Sequence, residues 1–413
     1  MSAPAAPEPP LESRVQSGWP LRDRLGPLAL PPRRVRLWAV ALAIAGLIPI
    51  ETAFVSGGGD WSVFWSAGAT VGTADFLDAG RHFAWQSAHG VIEYFFPYPP
   101  AAAWPLWPLG HMPIWLGFAF NAALMLGCVL AAGLFVARIF GMRRDVAILL
   151  AFAWTPLTAS ADFGQNATFA ALLALWAIDG LRRDRPLEVG VAVGLMMYKP
   201  TLALPLLGLL VLRWRWRDLL VAAAVVGGGY LASVAAAAGN WQWPGTWWTQ
   251  LQPWLARDLA GNADKAVSVP GLIGRVPGVP AWLPVVVMVA IVVLALPGLL
   301  RAPLVEAAAG ACLLALAAGP RVWGYEAGLL LPMLAWAAAG GVDEPWRTRL
   351  LVAAVPMGLL WVFSLYTIVS GVAVVVALAM ALWIVRWWPG ADSPHGVRSV
   401  TGLRPSGVRV PLE

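Results

Sequence analysis

The sequence predicts an all-α polytopic membrane protein, a bundle of about twelve transmembrane helices. Three observations predict it. Of the 413 residues, 59% are hydrophobic and 12% charged, whereas a soluble domain is about 45–50% apolar and about 25% charged. Apolar runs long enough to cross roughly 30 Å of hydrocarbon recur from Arg36 to Trp388, and mean hydropathy is +0.70. Finally, the basic residues sort by side. Of the 28 Lys+Arg, six (Arg81, Lys199, Arg257, Lys265, Arg275 and Arg321) fall on one side of the alternating segments and the other 22 on the opposite side. The positive-inside rule places the larger set, and both termini, in the cytoplasm. It also accounts for the net charge of +6 without nucleic acid or another acidic partner. The chain thus reads as a multi-pass protein of the cell membrane, in contact with its lipids.

The elements follow in order. Residues 1–35 are rich in Pro and Arg, lack an apolar helical face, and read as a disordered cytoplasmic tail; 389–413 is a second, basic tail. Between them, 36–388 forms one transmembrane domain. Its first apolar run, 36–56, shows no clear cleavage site and is expected to remain as span one. A first outer loop covers 57–114. Span two is expected at 115–139, span three at 145–160 and span four at 164–180. Span seven follows at 218–238, a second large outer loop at 239–280, and spans eight to twelve at 282–300, 303–319, 326–341, 350–367 and 370–387. There is no clear internal repeat of the transporter kind. Cys128 and Cys312 lie inside apolar runs and read as small buried hydrophobes.

Spans five and six are irregular. Arg185 and Arg213 both belong to the cytoplasmic set, yet the segment between them is too short for two full crossings. Its middle reads MMYKPTLALP, and Pro200 disfavours a helical Lys199. Residues 187–212 are therefore expected as a short helical hairpin with Lys199 at its tip, below the outer surface. Non-helical backbone at that depth survives only where protein buries it or where it lines a wet cavity.

This topology collects the unusual polar residues on the outer face, where ionisable groups near membrane depth are functional candidates. Asp60 follows the glycine run Gly57–Gly59. It is positioned to act as a general base and equally to cap the helix WSVFWSAGATV. That helix places Trp61, Phe64, Trp65 and Gly68 on one face and reads as interfacial, lying on the membrane. Lys199 is one of two lysines in the chain; its partner is a phosphate, a carboxylate, or the outer interface by snorkelling. Arg321 is suited to bidentate phosphate binding or to an ion pair with Glu326. Gln165 and Asn166, in DFGQN, are suited to read sugar hydroxyls or to cap span four. FFPYPP, Phe95 to Pro100, reads as a stiff turn that starts the next helix. The Trp-rich stretch 240–254 reads as a segment on the outer leaflet or as a stack for sugar rings. His82, His89 and His111 show no metal-ligand spacing.

Five stretches in this order resemble glycosyltransferase family 87, the polyprenol-phosphate-mannose-dependent mannosyltransferase-like proteins with a GT-C type membrane fold. They are GDWSVFWSAG, FFPYPP, GQNATFAALLAL, GLMMYKPTLALPLLGLLVLRWRWR and GPRVWGYEAGLLLPML, spread over roughly residues 40–340. The resemblance implies a catalytic aspartate at Asp60 and a donor pocket near Lys199 and Pro200. Many relatives carry histidines just after the tryptophan before span ten, where this chain has Tyr325 and Glu326. The implied reaction moves one hexose, mannose in the family, from a polyprenyl phosphate to a hydroxyl of a lipid-linked or envelope glycan on the outer face. Asp60 accepts the hydroxyl proton, the anomeric centre inverts, and Lys199 or Arg321 stabilises the leaving phosphate. Gln165, Asn166, Tyr325 and Glu326 complete the substrate-binding set. No metal or other cofactor is implied, and the chain has no DxD motif. The competing readings are a transporter or lipid flippase, an enzyme that moves whole lipid-linked glycans, and a non-catalytic scaffold of envelope assembly.

Overall fold

The computed structural model describes residues 60–261, 266–341 and 365–387. Span one, most of span eleven and both tails lie outside the described residues. Among those described, the regular elements are helical, joined by one isolated bridge between Ala266 and Trp323. The helices are α1 (Trp61–Thr70), α2 (Ala79–Ala88), α3 (Ile114–Phe140), α4 (Arg144–Ala153), α5 (Thr155–Asp162), α6 (Ala167–Arg182), α7 (Pro186–Met196), α8 (Pro200–Leu212), α9 (Trp216–Ala236), α10 (Trp243–Gly261), α11 (Val269–Gly274), α12 (Trp282–Arg301), α13 (Leu304–Ala318), α14 (Leu331–Trp336) and α15 (Leu365–Trp387). Three of them, α3, α9 and α12, are long and apolar enough to cross a membrane; α7, α8 and α13 are shorter apolar helices. This is an all-α membrane protein.

Two expected spans are not single helices. Span three is divided at Trp154, between α4 and α5, because Pro156 in the first turn of α5 has no amide hydrogen to continue the ladder. Span ten begins as a 3-10 segment, Gly324–Leu330, continues as α14 and ends in a π turn, Ala337–Gly341. The hairpin of α7 and α8 breaks at Lys199, with a proline opening each arm.

At the centre stands α13. All its residues from Ala307 to Ala318 are buried, and it touches α6, α8, α12, α14 and α15. Its small side chains permit that crowding. Close approach also sets the hairpin: α7 lies against α9 through Gly190 and Gly194, where an added Cβ would meet the Cβ of Val221 at 2.4 Å and that of Val225 at 2.7 Å. This is the small-residue spacing by which apolar helices meet without hydrophobic drive.

The helices run between two poles. α6 starts beside Gln165 and ends at Arg182, while the hairpin leaves Arg185, turns at Lys199 and returns to Arg213. At the arginine pole, the fully buried Asp179 pairs with Arg138, Arg182 and Arg183. Arg215 joins Asp218 at 2.5 Å and Asp184 at 2.7 Å. Arg213 donates to the carbonyls of Leu299 and Ala302 at the end of α12. These contacts staple helix ends to one another.

Candidate active site

The other pole is built around α1. The expected interfacial helix is instead enclosed by protein: eight of its ten residues are buried, Trp61 completely. The Trp61 and Trp65 ring nitrogens donate to the carbonyls of Ile114 and Met112, at 3.0 and 2.9 Å. Apolar content alone does not distinguish a lipid-facing helix from a protein-enclosed one. Nor does Asp60 cap this helix. It has helical dihedrals and its side chain makes no capping bond; its carboxylate accepts a 2.6 Å hydrogen bond from Gln165 Nε2. Asp60 itself is exposed, so a carboxylate open to solvent stands on a rigid, buried support.

Gln165 reaches Asp60 because of Gly164. This glycine sits at φ +68°, and an added Cβ would lie 2.5 Å from the Trp61 Cβ. Only glycine allows both the left-handed turn and that approach. Asn166 follows without capping α6 through its side chain. Its backbone carbonyl accepts from the Tyr198 hydroxyl at 2.6 Å, and its amide oxygen is enclosed without a hydrogen-bond partner.

From Gln165 a chain of contacts leads to Lys199. Tyr98, delivered by FFPYPP, directs its hydroxyl toward Gln165 Oε1 at 3.4 Å. The Lys199 ammonium lies 5.5 Å from the Tyr98 ring centre and 5.4 Å from that of Tyr325, within cation–π range. It donates to Glu326 Oε1 at 3.1 Å, and both side chains are almost wholly buried. The other Glu326 oxygen accepts from the Trp323 amide at 2.9 Å and so caps the start of the 3-10 turn. Of the three partners left open for Lys199, the structure shows the carboxylate.

Arg321 does not pair with Glu326. Its Nε donates to Asp258 Oδ2 at 2.5 Å, and Asp258 Oδ1 accepts the Tyr94 hydroxyl at 2.6 Å. The guanidinium is stacked between Trp254 and Trp323, 4.4 and 4.9 Å from their ring centres. Burial, then the hydrogen bond and charge of Asp258, hold the Tyr94 hydroxyl well above the ordinary tyrosine range, so it remains a donor. The Trp-rich stretch is likewise divided: Trp243 and Trp254 are buried, while Trp241 and Trp248 are more than half exposed.

Asp60, Gln165, Lys199, Tyr325 and Glu326 therefore share one neighbourhood, with Arg321 at its edge, and the Asn166 side chain hydrogen-bonds to none of them. Tyr94, Tyr98 and Asp258 belong to it without standing out in the sequence, and Trp254, the last residue of the Trp-rich stretch, joins them. The outer-loop histidines are separate. His82 is buried between the hydroxyls of Ser66 and Thr70, each at 3.2 Å; His89 stacks on Trp85 and His111 leans on Trp107.

Chemically, the site offers an exposed carboxylate, two cations with donors to spare, and aromatic walls. Lys199 uses one of its three ammonium hydrogens on Glu326, and an arginine has five donors in all. No curated protein and no solved structure matches the chain. A model of glycosyltransferase family 87 matches residues 95–320, more than half of the chain. That span contains Tyr98, Gln165, Lys199 and Asp258, while Asp60, Arg321, Tyr325 and Glu326 lie outside it. On this match the chain belongs to glycosyltransferase family 87 and is a membrane glycosyltransferase.

Proposed function

We propose that the protein transfers one hexose, mannose by family resemblance, from a polyprenyl phosphate to an acceptor hydroxyl at the outer face of the cell membrane. One observation carries the reading: the exposed Asp60 carboxylate is held by Gln165 in the same neighbourhood as the buried Lys199 at the hairpin tip. Asp60 takes the proton of the acceptor hydroxyl as its oxygen forms a bond to the anomeric carbon. The bond from that carbon to the phosphate oxygen breaks, and the phosphate leaves with the electron pair. Arg321 and Lys199 stabilise the charge that collects on it. A phosphate leaves without needing a proton, so one carboxylate suffices, and single displacement inverts the centre.

Each cation already holds a carboxylate, Glu326 or Asp258, which keeps it ordered when no donor is bound. The spare N–H donors then face the phosphate without first being gathered. Gln165 fixes the direction of the Asp60 carboxylate through its hydrogen bond to Oδ2.

The test uses purified protein in nanodiscs with radiolabelled polyprenyl-phosphate mannose, wild type beside Asp60→Asn. Consumption of the lipid-linked sugar by wild type, and its loss in the variant, is the expected result. Full consumption by Asp60→Asn would overturn the assignment of the base.

A further inference from the structure

The junction of α8 and α9 reads RWRWR, Arg213 to Arg217, and belongs to the arginine pole. Its side chains alternate between protein and surroundings. Arg213 is tied to α12 through the carbonyls of Leu299 and Ala302, and Arg215 is held by Asp184 and Asp218. Trp214 and Trp216 are instead 86% and 59% exposed. Arg217 is exposed as well. Its guanidinium lies 5.4 Å from the Trp216 ring centre, within cation–π range. Among the described residues it forms no ion pair, so its N–H donors remain available. Arg301, which lies in sequence between the two carbonyls that hold Arg213, adds a second exposed cation.

The backbone makes the exposure of Trp214 costly. Helix α8 ends in a Schellman turn: the Arg215 amide donates to the Leu210 carbonyl at 2.9 Å, and the Trp214 amide to that of Val211 at 3.1 Å. The turn holds Trp214 at φ +51°, a left-handed position ordinarily filled by glycine and disfavoured for a bulky side chain. The turn after α6 has the same form with Asp184 at φ +50°, and a short polar side chain tolerates it. Trp214 has little packing against protein to offset its strain. In water, its indole would add an exposed apolar ring to a strained backbone. At the boundary between hydrocarbon and headgroups the same indole is favourable. The arginine beside it is the side chain that matches a phosphate, and basic segments at this boundary draw anionic lipid.

We propose that the RWRWR junction is a binding site for an anionic phospholipid. Trp214 and Trp216 lie at the headgroup level, and Arg217 takes the lipid phosphate through paired N–H donors. Arg213 and Arg215 fasten the junction to α12, to α9 and to the turn after α6, so that it meets the lipid as a rigid surface. The site stands at the end of α8 opposite Lys199, 13 residues and about 20 Å along the helix. Lipid held there fixes the depth of the hairpin, and with it the level of Lys199 in the bilayer. The inference is independent of the transferase reading, since it stands or falls on lipid binding alone.

The experiment is native mass spectrometry of the purified full chain, titrated in detergent with equal amounts of phosphatidylglycerol and phosphatidylcholine. Wild type is expected to retain phosphatidylglycerol at least fivefold over phosphatidylcholine. Arg217→Gln removes the charge, and Trp214→Gly removes the indole while relieving the left-handed strain. Each is expected to lower phosphatidylglycerol retention several-fold. Melting curves establish that both variants fold, with Trp214→Gly at least as stable as wild type. Arg144→Gln removes the same charge from another exposed arginine, at the start of α4, and is expected to leave retention unchanged. Equal retention of the two lipids by wild type would overturn the proposal. So would unchanged retention in folded Trp214→Gly, or an equal loss in Arg144→Gln and Arg217→Gln, which would mark general charge attraction in place of a site.

Discussion

Both poles of the bundle set basic side chains against carboxylates, and they do so in different ways. At the arginine pole, Asp179 is fully buried while its partners Arg138, Arg182 and Arg183 are between about a quarter and a half exposed. One anion there gathers several cations that also reach water. At the other pole, Lys199 and Glu326 are both buried and paired one to one, Arg321 has its own carboxylate in Asp258, and Asp60 faces outward. The first arrangement joins helix ends and tolerates the loss of a contact, because a freed arginine is solvated. The second shields the Lys199–Glu326 pair from water and seats a partly exposed Arg321 on a buried Asp258, so each cation has its own carboxylate. Redundancy marks the fastening; one-to-one pairs mark the candidate site.

The largest expected effect falls on Asp60. Asp60→Asn should lower transfer by at least about a hundredfold with little change in melting temperature, since the residue is exposed and asparagine keeps an oxygen for the Gln165 amide. Radiolabel transfer alongside thermal melts reads this directly, and a large loss of stability would erase the contrast between the poles. Next comes the buried pair. Lys199→Met or Glu326→Gln leaves its partner uncompensated and should cost about 3–5 kcal/mol. Lys199→Met combined with Glu326→Met should recover part of that stability in a double-mutant cycle, while donor binding stays lost.

A third effect separates the poles by pH. Burial lowers the His82 pKa from 6.5 to about 4, against a small opposing pull from Asp75. Between those values the unfolded chain takes up a proton that the folded one refuses, so stability falls as pH drops from about 6.5 toward 4. From pH 7 to pH 5 the loss is about 2 kcal/mol. His82→Gln should flatten this dependence in melting curves recorded against pH. The smallest effect belongs to Asp179→Asn. With its arginines partly solvated it should cost about 1 kcal/mol and leave transfer per folded molecule unchanged.

Features fixed by local rules were legible in the sequence. Pro200, together with the short interval between Arg185 and Arg213, placed the hairpin break at Lys199. The charge sorting that set Arg138 and Arg182 apart from Lys199 and Arg321 corresponds to the two poles. What was hidden depends on contacts between distant segments. Arg321 finds Asp258 across 63 positions and Lys199 finds Glu326 across 127, and nothing near Arg321 favours Asp258 over the closer Glu326. Tyr98 was obscured by its own prolines, which read as a turn and concealed that the turn carries a ring to the lysine. The enclosure of α1 was equally hidden, because a Trp- and Phe-bearing face suits lipid and protein alike.

The glycine contacts of Gly190 and Gly194 with α9 carry a consequence for how this protein can change. They fix α7 in register against a neighbour, so the position of Lys199 is set by counting residues from Arg185. Adding one residue to α7 would turn the hairpin tip by about 100° and move it about 1.5 Å along the axis, taking the ammonium away from Glu326 and both tyrosine rings. Exchanging one apolar residue for another on the outer side of α8 changes neither quantity. The hairpin thus works as a measuring rod: its composition is free to drift, and its length is not.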